Sequence, residues 1–326
     1  MTTAEILDAF KQLRVLVAGD VCLDRWCRYD ASEAEPSRET GIPRVAVIHT
    51  DVTPGAAGTV ANNLGALGAA RVAVLGVIGR DGFGFELERA LEQRGIDTSL
   101  LVRSAALPTF TYTKLINART GVEDLPRIDF IAIEPLLVEV ETQLVSTLER
   151  VANEFDLILV SDQAETPEGG VVTPRVRQAL AAISGRVVWV DSRMRAELFR
   201  NVILKPNRDE AERASMRICG RVDFGALRAL TAAPVLIVTD GPHGALVISD
   251  DGEIAVQAQV AATPVDICGA GDSFSAGAAL ALQATGSPVE AARFGNLVAS
   301  ITIMKPGTGT ASPEEVLAAD SRWGGK

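Results

Sequence analysis

The run RVLVAGDVCLD, residues 14–24, decides how the rest of the chain is read. Apolar side chains stand at positions 15 to 18 without alternation, and Gly19 and Asp20 follow. A strand apolar at successive positions buries both of its faces. The run therefore predicts an interior strand of a parallel sheet, with its carboxyl end opening into a loop at Gly19–Asp20. The same rhythm recurs outward. Strands are predicted over 71–79, 155–162, 186–192, 201–207 and 234–241, with a hairpin over 245–258 that turns at 250–252. Helices are predicted over 4–12, from about Ala57 to 69, and over 82–95, 136–153, 173–183, 208–217, 223–231, 271–284 and 288–303. Apolar strands alternating with helices imply an α/β fold with a mostly parallel sheet covered on both faces.

Two segments break that rhythm. Residues 25–50 mix charge, aromatics and proline around a short strand at 44–49, while 109–117 and 125–133 are strand-like and the first alternates. Both are read as parts of a small β-sheet projecting from the edge of the main one.

Composition narrows the function. The chain has 326 residues, 47% hydrophobic and 22% charged, enough for a sizeable core and unlike a disordered chain. The net charge of −11 repels nucleic acid and anionic membranes in general, though a local basic pocket for a small anion is compatible with it. Four cysteines and two histidines assemble no zinc-ligand spacing. The N-terminus lacks a basic and apolar leader pattern, and no run of eighteen apolar residues occurs, so a soluble cytoplasmic protein is expected.

In open α/β sheets ligands bind beyond the carboxyl ends of the strands. Asp20, Asp24, Asp162, Asp191, Asn207 and Asp240 all fall at such ends. Each alone also serves as a helix cap or an Asx turn. Together they converge on one edge of a parallel sheet.

The stretch TPVDICGAGDSFSAGAAL, residues 263–280, places Gly269, Ala270, Gly271 and Asp272 at the mouth of a helix. Backbone N–H groups there have no helical partner and carry the positive end of the helix dipole, which makes an anion hole. Asp272 beside it is placed to take a proton from an attacking hydroxyl, or simply to act as an N-terminal helix charge. No GxxxxGK[ST] loop occurs, and GVIGRDGFG at 76–84 does not fit GxGxxG.

These residues resemble the PfkB (ribokinase-like) sugar kinases over nearly the whole chain. DICGAGDSFSAG resembles their DTxGAGDxFxAG signature, TPGAAGTVANNLGALGA their N-terminal GGxxxNxAxxLaxLGa, and GVIGRDGFGFEL their GxxGxDxxGxxL. LKPNRDEAE carries an NxxE pair, and VTDGPHGAL resembles the family's nucleotide loop. Within the family the likeness is greatest to the heptose-7-phosphate kinase module, through GDVCLDRW, PTFTYTKL, LPRIDF and MKPGTGTAS.

The resemblance implies a ribokinase-like three-layer α/β/α sandwich forming one kinase domain over 1–326, with lid strands inserted at about 25–50 and 107–133. It implies ATP and Mg²⁺, and a sugar or sugar-phosphate acceptor. Asp272 would be the base and Gly269, Ala270 and Gly271 the anion hole. Asn207 and Glu210 would organise Mg²⁺ through water, with no direct protein ligand to the metal. Thr239, Gly241 and Gly244 would lie along the nucleotide, and Asn296 and Ser300 beside its adenine. Asp24, Gly55 and Asn63 would sit near the sugar, with Lys114 and Arg127 on the lid; Arg38, Lys114 and Arg127 are candidates for a second phosphate. Pairing into a homodimer through the lid is also implied. Ala56 and Thr59 depart from the family pattern, as does EPSRETGIPRVAV, so the acceptor stays open: another sugar, a nucleoside, or a non-catalytic binding module.

Overall fold

The computed structural model describes residues 1–33, 35–131, 133–259 and 263–323. Ala34, within the predicted 25–50 excursion, and Ala132, within the predicted 125–133 strand, lie outside the described residues.

The first third runs α1 (Thr3–Phe10), β1 (Arg14–Gly19), β2 (Val21–Tyr29), β3 (Val47–Ala56), α2 (Ala57–Ala66), β4 (Arg71–Leu75), β5 (Val77–Gly79), α3 (Gly82–Glu92) and β6 (Val102–Ser104). The middle holds β7 (Phe110–Asn117), β8 (Ile128–Phe130), α4 (Val138–Val151), β9 (Leu157–Asp162), α5 (Pro174–Ala182), β10 (Val187–Ser192) and β11 (Ile203–Leu204). The remainder is α6 (Arg208–Cys219), α7 (Phe224–Thr231), β12 (Leu236–Thr239), β13 (Ala245–Ser249), β14 (Gly252–Val256), α8 (Ala270–Thr285), α9 (Pro288–Thr302) and α10 (Pro313–Trp323).

An eight-stranded sheet, in the order β14-β13-β12-β11-β10-β9-β1-β4, forms the centre. It is parallel from β4 to β12 and antiparallel at the β12–β13 and β13–β14 pairs. Val15 and Val17 of β1 pack into a core with α1, α2, α8 and α9, while Leu16 and Ala18 enter a second core with α4, α5, α6 and α7. Successive side chains of a strand point to opposite faces, so a sheet covered twice needs apolar residues at every position. That is the uninterrupted pattern of residues 15–18.

The projecting sheet has the order β3-β2-β7-β8. Four expectations change. The opening run does not end in a loop: after one residue, Asp20, the chain re-enters strand as β2, the inner strand of the lid. Backbone pairing with β3 and β7 over the whole of β2 makes that possible despite its charged residues. The predicted strand 71–79 breaks at Gly76 into β4 of the main sheet and β5, which pairs with β6 in a separate two-stranded sheet. The predicted strand 125–133 contracts to three residues, and a last helix, α10, follows Pro313 where none was predicted. Among the described residues no helix is long and apolar enough to cross a membrane.

Candidate active site

Two cavities meet at the carboxyl edge of the main sheet. One, of about 210 Å³, lies under the lid and is lined by Asp24, Trp26, Tyr112, Lys114 and Arg127. The other, of about 650 Å³, runs along the strand ends toward α9. Four residues line both: Gln163, Arg193, Gly269 and Asp272.

Asp272 is at the third residue of α8. Gly269 caps that helix at φ +75°, a left-handed conformation that glycine adopts without strain. The N–H of Ala270 is taken by the carbonyl of Ile267 at 3.2 Å, so Ala270 is not free to serve in the expected anion hole. Among the described residues the N–H groups of Gly269, Gly271 and Asp272 meet no protein acceptor. Burial and the neighbouring negative charge of Asp191 raise the Asp272 carboxyl to about 7, against the pull of Lys205 and Arg193. A base that titrates near neutrality is suited to accept a proton from an alcohol.

Beneath the helix start, Lys205 and Asp191 form a buried ion pair at 2.8 Å, to which Ser275 adds a hydroxyl donor at 3.2 Å. Burial opposes the charge on Lys205, but Asp191 more than offsets it and the ammonium is held above its ordinary range. Asn207 and Glu210 form a reciprocal cap at the start of α6, in which each side chain accepts the other's backbone N–H. Burial and Asp191 raise the Glu210 carboxyl.

On the lid side, burial raises Asp24 to about 6, partly offset by Lys114. Lys114 lies over the Trp26 ring at 4.3 Å, and Arg127 over Tyr112 at 4.8 Å while clamping Asp129. Gly55 backs Asp24 from behind: a Cβ there would come within 2.7 Å of both carboxylate oxygens, so only glycine leaves that carboxylate in place.

A profile described as "pfkB family carbohydrate kinase" matches residues 14–315. The chain belongs to the pfkB family of carbohydrate kinases. The family is one of carbohydrate kinases, enzymes that place a phosphoryl group on a sugar hydroxyl, and a kinase family implies use of ATP. It is 34% identical over 322 residues to the bifunctional protein HldE of Trichlorobacter lovleyi, covering 95% of this chain and 63% of that protein. To HldE of a Caulobacter species it is 34% identical over 334 residues, covering 97% and 64%. The chain thus spans less than two thirds of the length of these relatives. Among solved structures it resembles a ribokinase from Thermotoga maritima (22% identity, TM-score 0.69, 95% of this chain and 99% of that one). It also resembles phosphofructokinase-2 from Escherichia coli in complex with potassium (20%, TM-score 0.73, 96% and 100%).

In this pfkB chain the residues expected near the nucleotide all line the larger cavity: Asn207, Glu210, Thr239, Gly241, Gly244, Asn296 and Ser300. Besides the capped pair Asn207 and Glu210, two more are partly occupied. The Asn296 amide donates to the carbonyls of Val256 and Gln257, and the Ser300 hydroxyl to that of Leu297. Of the residues expected at the sugar, Asp24, Lys114 and Arg127 line the smaller cavity. Asn63 does not: it is fully buried in α2, with its amide turned back to the carbonyl of Thr59. Arg38 is exposed and lines neither cavity. Ala56 lines the smaller cavity at φ +52°, and holding a residue with a Cβ there costs on the order of 1–3 kcal/mol.

The strand-end acids divide. Asp24, Asp191 and Asn207 face the cavities. Asp20 accepts the N–H groups of Gln163 and Val171, Asp162 clamps the buried Arg195, and Asp240 pairs with Arg208. Sequence reading missed Lys205 and Arg193. Lys205 sits in the KPN tripeptide after a buried strand, a detectable place for a cation; Arg193 carries no comparable local signal.

Proposed function

We propose that this chain transfers the γ-phosphoryl group of ATP to a hydroxyl of a sugar phosphate resembling heptose 7-phosphate. The carrying observation is Asp272, a carboxylate beside unpaired N–H groups where the two cavities join. Asp272 removes the hydroxyl proton as the acceptor oxygen attacks, and the N–H groups of Gly269, Gly271 and Asp272 hold charge on the transferring group. Lys114 and Arg127 supply positive charge in the acceptor cavity, which favours an acceptor that bears its own phosphate. The likeness of the lid motifs to heptose-7-phosphate kinases points the same way.

Mg²⁺ would neutralise charge on the nucleotide phosphates. Among the described residues no cluster of three His, Cys, Asp or Glu side chains is arranged to grip a metal. Mg²⁺ keeps several waters and takes one or two carboxylates besides the substrate phosphates. Glu210 and Asn207 would hold its water shell. Exposed Ile48, Ile128 and Phe130 on the lid support pairing of two chains through that sheet. Use of ATP supports a cytoplasmic reaction, with the chain acting as one kinase unit.

The test is ATP consumption against a panel of sugars, sugar phosphates and nucleosides. Turnover with heptose 7-phosphate, and much less with unphosphorylated sugars, is expected. Binding without turnover on every acceptor would instead support a non-catalytic module. Asp24→Asn should raise the acceptor KM by about 10- to 100-fold, the worth of one hydrogen bond to a charged group, and leave nucleotide affinity unchanged. An unchanged acceptor KM in steady-state kinetics removes Asp24 from the sugar site.

A further inference from the structure

The residues common to both cavities mark where the phosphoryl group must pass. Of those four, one is a cation, Arg193. The other positive charges near the site are each confined to one side. Lys205 lines only the nucleotide cavity and is neutralised by buried Asp191. Lys114 and Arg127 line only the acceptor cavity, and Arg127 is already clamped by Asp129.

Arg193 is built into place from two directions. Its backbone N–H donates to the carbonyl of Asp162 at the end of β9, at 3.0 Å. Two residues on, Arg195 locks the same loop by pairing with Asp162 and donating to the carbonyls of Pro167 and Gly169. The Arg193 guanidinium meets Glu165 at 2.7 Å, and the same Glu165 oxygen accepts the Tyr112 hydroxyl from the lid at 3.2 Å. The Arg193 and Glu165 side chains are 45% and 38% exposed. An ion pair exposed to that degree is weak, so an arriving anion can compete for the guanidinium. Buried Lys205, held by Asp191, has no such freedom.

We propose that Arg193 is a catalytic residue of this chain: its guanidinium holds the negative charge of the phosphoryl group in transit between the cavities. Glu165 is a positioning residue that aims Arg193 and, through Tyr112, ties its placement to the lid. The proposal rests on the kinase reading above. In the step, the acceptor oxygen forms a bond to the γ-phosphorus and the bond to the leaving diphosphate oxygen breaks. The hydroxyl proton goes to Asp272. Arg193 acts by its charge and exchanges no proton in the step.

The experiment compares the parent with Arg193→Met and Arg193→Lys on the acceptor that the panel identifies. Arg193→Met should lower kcat by about 10²- to 10³-fold, the usual effect of losing one preorganised charge-stabilising donor. Nucleotide Kd should stay within about threefold, since binding and transition-state terms separate in this way. Arg193→Lys should recover part of kcat, keeping the charge but not the planar fork. The acid limb of kcat/KM should move to higher pH in Arg193→Met, because the guanidinium favours the charged form of Asp272. A kcat that is unchanged while acceptor KM rises reduces Arg193 to ground-state binding and overturns the proposal. So does loss of nucleotide binding or of cooperative unfolding in both variants, which would mark a structural role. A parent inactive on the whole panel sinks the kinase reading itself; an active parent with fully active variants sinks only the Arg193 assignment.

Discussion

Asp272→Asn lowers kcat by about 10²- to 10⁴-fold, the range that a positioned general base contributes, and leaves nucleotide affinity intact. Asparagine preserves the shape at the mouth of α8 and the unpaired N–H groups behind it, so the loss isolates proton transfer. In the parent, kcat/KM rises with pH through about 7, because burial and Asp191 lift the carboxyl to that value and only the ionised form is a base. The variant loses that dependence. Stability separates chemistry from misfolding. A carboxyl raised in the folded protein stabilises the fold at pH below its unfolded value, and that contribution is lost as pH rises through the folded value. At pH 8 the charged Asp272 therefore costs the fold free energy, and Asp272→Asn should melt no lower than the parent. A variant with full turnover, read by coupled ADP release, removes Asp272 from the mechanism.

Lys205→Met is expected to destabilise the fold by about 3–5 kcal/mol, the usual cost of leaving one member of a buried ion pair without its partner. The Lys205 and Asp191 side chains are 3% and 10% exposed, and among the described residues Ser275 is the one other side chain hydrogen-bonded to the carboxylate. The companion change Asp191→Asn in the Lys205→Met background should restore much of the loss, since no uncompensated charge then remains. Urea melts of the single and double variants give the comparison. Function should suffer as well: Lys205 lies in the nucleotide cavity, 3.6 Å from where a Cβ on Gly271 would sit, directly behind the anion hole. Equal midpoints for Lys205→Met and the parent would show that the pair carries no net stability.

Much of the site was legible because its chemistry is local. The glycine turn before α8 is a feature of four consecutive residues, and the reciprocal Asn207–Glu210 cap needs only the spacing of one helical turn. Residues whose roles depend on distant partners were not legible. Asn63 stands in a motif that suggests a sugar contact, yet the rotation of α2 turns it into the core. Ala270 lost its place in the anion hole to the carbonyl of Ile267, a loop detail that spacing does not encode. Arg193 acquires its position from β9, from the loop holding Glu165 and from a lid strand some eighty residues upstream.

The order of residues alone determined that this is a doubly covered, mostly parallel sheet, because Val15 to Ala18 are apolar on both faces and only two helix layers can bury such a strand. It also determined that unpaired N–H groups and a carboxylate share the start of α8, since such groups are inherent in any helix N-terminus. Tertiary structure alone decided that residues 21–29 leave the main sheet to become the inner strand of the lid, and which charges meet at the junction. Strand pairing and ion pairing join residues far apart in the chain, and their free energy depends on the partner's position in space.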